Sequence, residues 1–220
     1  GDGSDEVSSA HTVIDVLSDD VPFLVDSASA EISRLGHTVH LIIHPVIRTR
    51  RDKTGKLTDI VARKATGDGV RNESMMSVTI NRQGDPARIK EIEKCLKSVL
   101  RDVHAAVADW QSICEKVREI INDLKVRFAE GAGAGIVEAQ DFLQWALDNH
   151  FTFLGYREYD FIGQGRVAKV HIDPKSGMGV LRNPRRLVFN ELRHLGRMPG
   201  EVQRFVRRPD PLIISKADIK

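Results

Sequence analysis

The sequence predicts an α+β protein: an antiparallel sheet with two helices on one face, ordered β-α-β-β-α, then a second, smaller α+β module. Three observations carry that expectation. A β-rich run, His11–Leu17, passes through the acidic stretch Asp19-Asp20-Val21-Pro22 into an amphipathic helical pattern closed by Gly36. Two strand-like stretches, Thr38–Arg50 and Glu73–Asn81, follow with no helical pattern between them. A long pattern with apolar residues at steps of three and four then runs from Ile89 to Phe128.

The first strand rests on the loose alternation of His11-Thr-Val-Ile-Asp-Val-Leu17. After it, Ser18, Asp19 and Asp20 offer capping oxygens, and Pro22 suits a first helical turn because its missing N–H has no partner there anyway. The helix that follows carries an apolar stripe through Leu24, Ala28, Ile32 and Leu35, and Gly36 suits its C-terminal end. Thr38–Arg50 is long and β-branched. Pro45 has no N–H for a ladder, so this strand lies at an edge or bulges there. Arg51–Lys56 reads as a turn with Gly55 at its tight position, and Leu57–Ala65 as the start of a return strand. Thr66-Gly-Asp-Gly69 interrupts it. Glu73–Asn81 is the clearer strand, with Met76, Val78 and Ile80 on one face.

Gly84-Asp85-Pro86 is a strong helix start, a capping Asp followed by Pro at the first helical position. The apolar positions beyond it are Ile89, Ile92, Leu96, Val99, Val103, Val107, Trp110, Cys114, Val117, Ile121, Leu124 and Phe128, close to a heptad seam. A continuous helix over 87–130 is about 65 Å long at 1.5 Å per residue. Either it breaks near Val103–Asp109 into a hairpin, or it protrudes and packs on another chain or domain. Val103, Val107, Trp110 and Cys114 are the interface residues of the second reading.

Gly131-Ala-Gly-Ala-Gly135 matches neither phosphate-loop template and follows a helix, so it reads as a linker. The expected organisation is therefore a disordered leader over 1–10, a first domain over 11–130, a linker over 131–135 and a second α+β module over 136–220. In that module Ile136–His150 is a helix with Ile136, Ala139, Phe142, Leu143, Ala146 and Leu147 inward. Phe151–Phe161 alternates as a strand, Gly163-Gln-Gly165 turns it, and Val167–Asp173 returns as its hairpin partner. Met178–Leu181 and Leu212–Ile214 are further short strands. The last begins near the end of the chain with no partner, as a piece of a longer protein would show.

Composition narrows the function. The 220 residues suit one large domain or two small ones, with 41% hydrophobic and 29% charged residues, as in ordinary globular proteins. A net charge of +2 is too balanced to point to nucleic acid or a membrane surface. No apolar run approaches the roughly 20 residues that span a bilayer. Cys95 and Cys114 both occupy apolar positions of a helical pattern, with no disulfide framework or metal spacing. They read as buried thiols in a reducing cytoplasm.

Other constellations have bland readings. His40 and His44 share a strand face but lie roughly 13 Å apart, too far to hold one ion, and with His37 read as surface or subunit contacts. No metal site is expected. Ser27 and Ser29 lack a nucleophile elbow and read as capping or solvated residues. The arginines at 48, 50, 51, 204, 207 and 208 read as solvated. Phe142, Trp145, Phe151, Phe153 and Tyr156 read as core or as a docking patch. The strands of the first domain lack the paired aromatics of an RNA-binding sheet. No glycine fingerprint for a dinucleotide follows any strand.

With one more strand the first domain would be the βαββαβ ferredoxin-like layer. As it stands, it resembles an ACT domain, a ferredoxin-like regulatory module that binds amino acids. Four segments make the resemblance more specific: Asp20-Val-Pro-Phe-Leu-Val-Asp-Ser27, His40-Leu-Ile-Ile-His-Pro45, Arg51-Asp-Lys-Thr-Gly55, and Asp141 through Arg157. In this order they resemble the N-terminal part of the large bacterial NAD-specific glutamate dehydrogenases. The resemblance implies a parent enzyme that oxidises L-glutamate to 2-oxoglutarate and ammonia with NAD. This chain would be its non-catalytic regulatory and oligomerisation segment, with no cofactor of its own. Its partners would be an amino-acid effector, the catalytic remainder of the polypeptide and further copies in a homo-oligomer. The alternative is a scaffold without a ligand.

The resemblance also implies a site. In amino-acid-binding ACT domains the first loop meets the ligand, and backbone N–H groups receive its carboxylate. Here that loop and helix start comprise Asp19, Asp20, Val21, Pro22, Phe23, Leu24, Asp26 and Ser27. Asp19, Asp20 or Asp26 would receive the ammonium group. Many such domains carry a glycine in this loop, whereas this chain has Val21-Pro22, and Pro22 removes a donor. The competing reading is that Ser18 or Asp19 caps the helix and Phe23 packs beneath it.

Overall fold

The computed structural model describes residues 10–128, 133–164, 167–186 and 195–207. It divides into two compact units, Gly1–His104 and Ala105–Lys220. The units meet inside a helix rather than at 131–135. Of that expected linker, Gly133 is the residue before a helix that already contains Ala134 and Gly135. Residues 129–132, most of the expected leader and Leu212–Ile214 lie outside the described residues.

The first unit is built on β5, Val70–Asn81, whose twelve residues form the centre of an antiparallel sheet. On one side it pairs with all of β1, His11–Asp19, from His11 opposite Asn81 to Asp19 opposite Glu73. On the other side it pairs with two consecutive strands, β2 (Val39–Ile43) and β3 (Val46–Arg51). Pro45 explains the interruption. It has no N–H for the ladder, but its carbonyl accepts the Met75 N–H at 3.0 Å, so the strand resumes on the same partner. The return strand β4 is only Leu57–Ile60 and pairs with β3. The carboxylate of Asp52 organises the turn between them, accepting the Thr54 N–H at 2.8 Å and the Lys56 N–H at 3.0 Å.

Helix α1, Leu24–Arg34, buries Leu24, Ala28 and Ile32, and the chain turns away just beyond it at Gly36, whose φ of 83° suits a residue without a Cβ. Helix α2, Pro86–Arg127, starts as its sequence requires: the Asp85 carboxylate accepts the Ala87 N–H at 2.9 Å. Ala28 and Ile32, Met76, Val78 and Ile80, and Ile92 and Leu96 form one core, so α1 and α2 cover the same sheet face. The order β1, β5, then β2 with β3, is three strands of the four in a ferredoxin-like layer. The α2 helix is continuous over 42 residues and makes no hairpin near Val103–Asp109. Ile89 and Trp110, expected on its apolar seam, are exposed.

In the second unit, α3 is Ala134–Trp145, and the chain beyond it leaves helical geometry at Asp148 and Asn149. Phe142, expected inward, is exposed. The expected single strand 151–161 is two strands with different partners. β6 (Gly155–Tyr156) pairs with β9 (Met178–Gly179), and β7 (Tyr159–Ile162) pairs with β8 (Lys169–Ile172). Arg157, between them, is buried. Its guanidinium donates to the carbonyls of Arg186 at 2.6 Å, Asn183 at 2.7 Å and Leu181. A short helix α4, Gly200–Phe205, follows. Among the described residues, no helix is long and apolar enough to cross a membrane.

Candidate functional site

The candidate site is the corner where β1 hands over to α1. Strand β1 runs two residues further than the sequence suggests, because Ser18 and Asp19 stay in the ladder opposite Ser74 and Glu73. Neither residue can therefore cap the helix. Ser18 Oγ donates instead to the Asp19 carbonyl at 3.2 Å. The Asp20 N–H donates to the Asn72 carbonyl at 3.2 Å, which fixes the start of the loop against β5. Val21 and Pro22 carry the chain to Phe23, which directly precedes the helix.

Phe23 has a left-handed backbone, φ 69° and ψ 7°, and its side chain is 54% exposed. It does not pack beneath the helix. A non-glycine residue in this region is strained by roughly 1–2 kcal/mol. No side chain caps α1, and the amides at the start of a helix have no partner four residues back within it. Asp26 lies in that first turn, where a negative charge suits the helix dipole. Asp20 and Asp26 are both exposed, and Ser27 closes the turn by donating its N–H to the Phe23 carbonyl at 3.0 Å.

Asp19 is engaged elsewhere. Its carboxylate lies 3.4 Å from Arg71, which lies 3.3 Å from Glu73, which in turn is held by Arg51. The hydrogen bonds from Arg51 hold the Glu73 carboxyl below its ordinary value, against the opposing effect of burial. Beside this network, His44 Nε2 and Ser74 Oγ are 2.6 Å apart, with Ser74 buried. Sequence reasoning missed both arrangements. The available signal was a glutamate and a serine directly before the alternating run Met76, Val78, Ile80.

The expected interface residues do not share one environment. Val103 and Val107 are half-buried, Cys114 is buried, and Trp110 is 40% exposed. Burial pushes the Cys114 thiol pKa up. Among the described residues, no three His, Cys, Asp or Glu side chains lie together as a metal set.

The strand order and the two helices on one sheet face define a class: an α+β domain with an incomplete ferredoxin-like layer. Residues 3–96 match the family model described as the glutamate dehydrogenase ACT1 domain. The chain is 34% identical over 174 residues to an NAD-specific glutamate dehydrogenase of Pseudomonas aeruginosa, covering 79% of this chain and 11% of the relative. It is 39% identical over 178 residues to one from Halomonas elongata, again 79% of this chain and 11% of the relative. With one from Mycobacterium tuberculosis it shares 27% over 184 residues, 81% of this chain and 11% of the relative. Residues 3–96 are thus an ACT1 domain of the NAD-specific glutamate dehydrogenase type. The chain spans about a ninth of the length of these relatives.

Proposed function

We propose that this chain is a non-catalytic regulatory segment of a cytoplasmic, bacterial NAD-dependent glutamate dehydrogenase, and that the β1–α1 corner binds an amino-acid effector. The parent enzyme would convert L-glutamate to 2-oxoglutarate and ammonia, with NAD held outside this segment. One observation carries the effector reading: α1 begins with no side-chain cap. Such an end favours a carboxylate. Asp20 and Asp26, exposed beside it, supply charge for an ammonium group, while Asp19 is already held by Arg71. Effector binding would act on the distant catalytic domain through the free-energy coupling of linked conformations.

Calorimetry with a panel of amino acids tests this. The expected result is heat with at least one amino acid, lost in Asp20→Ala or Asp26→Ala. The chain alone is expected to reduce no NAD with glutamate, and turnover above background would overturn the non-catalytic assignment. A second reading, a ligand-free oligomerisation module, is favoured by the exposure of Trp110 on α2. Silence with every amino acid, together with self-association abolished by Val107→Asp, would favour it.

A further inference from the structure

Strand β1 is paired along one edge only. It runs antiparallel to β5 over its whole length and pairs with no other strand among the described residues. One bond sets the direction of its backbone groups, the Asp20 N–H to the Asn72 carbonyl. Opposed residues in an antiparallel ladder alternate between exchanging both backbone bonds and exchanging neither. Counting back in twos from Asp20, the backbone groups of Ser18, Val16, Ile14 and Thr12 face β5. Those of Leu17, Asp15 and Val13 point away from it. β5 shows the complementary phase, since the amides of Met75 and Asn81 donate to its other side, to Pro45 and Thr38.

A groove of about 560 Å³ runs along this edge, lined by Ile14, Val16, Ile92, Leu96 and Leu100 among others. On the opposite sheet face, Val13 and Leu17 are 56% and 53% exposed. In the ferredoxin-like order, this is where the fourth strand lies. A nine-residue edge carrying Val13, Ile14, Val16 and Leu17 is a template for pairing that proteins rarely leave bare.

We propose that the open edge of β1 and its groove receive a further β-strand from another part of the same polypeptide, apolar on the groove side and with a Lys or Arg opposite Asp15. Strand addition of this kind uses the main chain for affinity and alternate side chains for specificity. Charge decides the occupant. If a second copy paired its β1 here about a two-fold axis, over the full strand, Asp15 would oppose Asp15, and like charges directly opposite repel. The neighbour of Asp15 on β5 is Ser77, which offers no cation. A strand in cis also suits a chain that spans 11% of its relatives' length. In this respect the proposal rests on the reading of the chain as a segment of a longer protein.

Residue-resolved amide hydrogen exchange on the whole polypeptide and on the 220-residue chain is the test. The amides of Val13, Asp15 and Leu17 are expected to exchange at least about tenfold more slowly in the whole polypeptide, independently of dilution. Leu17→Pro removes an N–H that makes no bond to β5. It is expected to leave the melting temperature of the 220-residue chain nearly unchanged while Val13 and Asp15 lose their protection in the whole polypeptide. Asp15→Lys should speed exchange at Val13 and Leu17 without touching the backbone. Fast exchange at Val13, Asp15 and Leu17 in the whole polypeptide, beside slow exchange at Ile14 and Val16, would overturn the proposal. Protection that fades on dilution would also overturn it, because it would mean a second copy. Neither outcome alters the calorimetric result at the β1–α1 corner, so the two readings fail separately.

Discussion

The Arg51 guanidinium donates to both carboxylate oxygens of Glu73, at 2.7 and 2.9 Å, joining β3 to β5. Glu73 is 3% exposed, so the pair is largely withdrawn from water on its acidic side. Because Arg51 lowers the pKa of Glu73 in the folded state, the stabilisation is complete above the ordinary value of 4.5. It is lost as pH falls through the folded value.

Glu73→Gln keeps the shape and removes the charge. It is expected to destabilise the first unit by about 1–3 kcal/mol at neutral pH. Urea unfolding checks this, and the gap between the two proteins should close as pH falls through the lowered folded value of Glu73, where its carboxyl becomes neutral. A gap that persists there would mean that packing, not charge, is responsible.

Phe23 permits a separation of backbone strain from side-chain contact. Phe23→Ala and Phe23→Gly lose the same aromatic ring, but only glycine accepts φ 69° without strain. The glycine variant is expected to be more stable than the alanine variant by about 1 kcal/mol. Equal stabilities in thermal unfolding would argue against a strained corner.

Asp109 ties α2 to the β9 turn. One carboxylate oxygen accepts the Gly179 N–H at 2.6 Å and Arg182 Nε at 2.7 Å, and the other accepts Arg182 Nη2 at 2.5 Å. The bonds from Arg182 hold its carboxyl below the usual range. Asp109→Asn is expected to destabilise the second unit by about 2 kcal/mol at neutral pH. Its effect should shrink in acid, for the same reason as at Glu73. Gly179→Ala should act by a different route, because φ is 60° and an added Cβ would strike the Leu154 carbonyl. Its cost of about 1–3 kcal/mol should not vary with pH.

Ile32 is fully buried between α1 and the sheet. Ile32→Val is expected to cost about 1 kcal/mol and Ile32→Ala about 2–5 kcal/mol, the cavity adding to the lost transfer energy. Chemical denaturation reads both. A small effect from the alanine variant would mean that α1 collapses onto the sheet to fill the space.

Local pattern was enough for much of this protein. The stripe Leu24, Ala28, Ile32, the alternation Met76, Val78, Ile80 and the Asp85-Pro86 helix start all rest on residues within a turn or two of each other. Neighbours that close in sequence remain neighbours in any fold. The β1–α1 corner was legible for the same reason, as a compact turn between two clear periodicities.

Packing between distant residues decided the rest. Pro45 was expected to mark an edge or a bulge; the strand is instead interrupted there and resumes on the same partner, because β5 supplies the Met75 N–H. Ser18 and Asp19 looked like caps until Ser74 and Glu73 drew them into a ladder. The run 151–161 alternates evenly, and only the partners at 169–172 and 178–179 split it into two strands. Arg51 met Glu73 because chain segments remote in sequence arrived from fixed directions. Composition and spacing do not encode those directions singly. They emerge when β5 assembles with its partners on both sides.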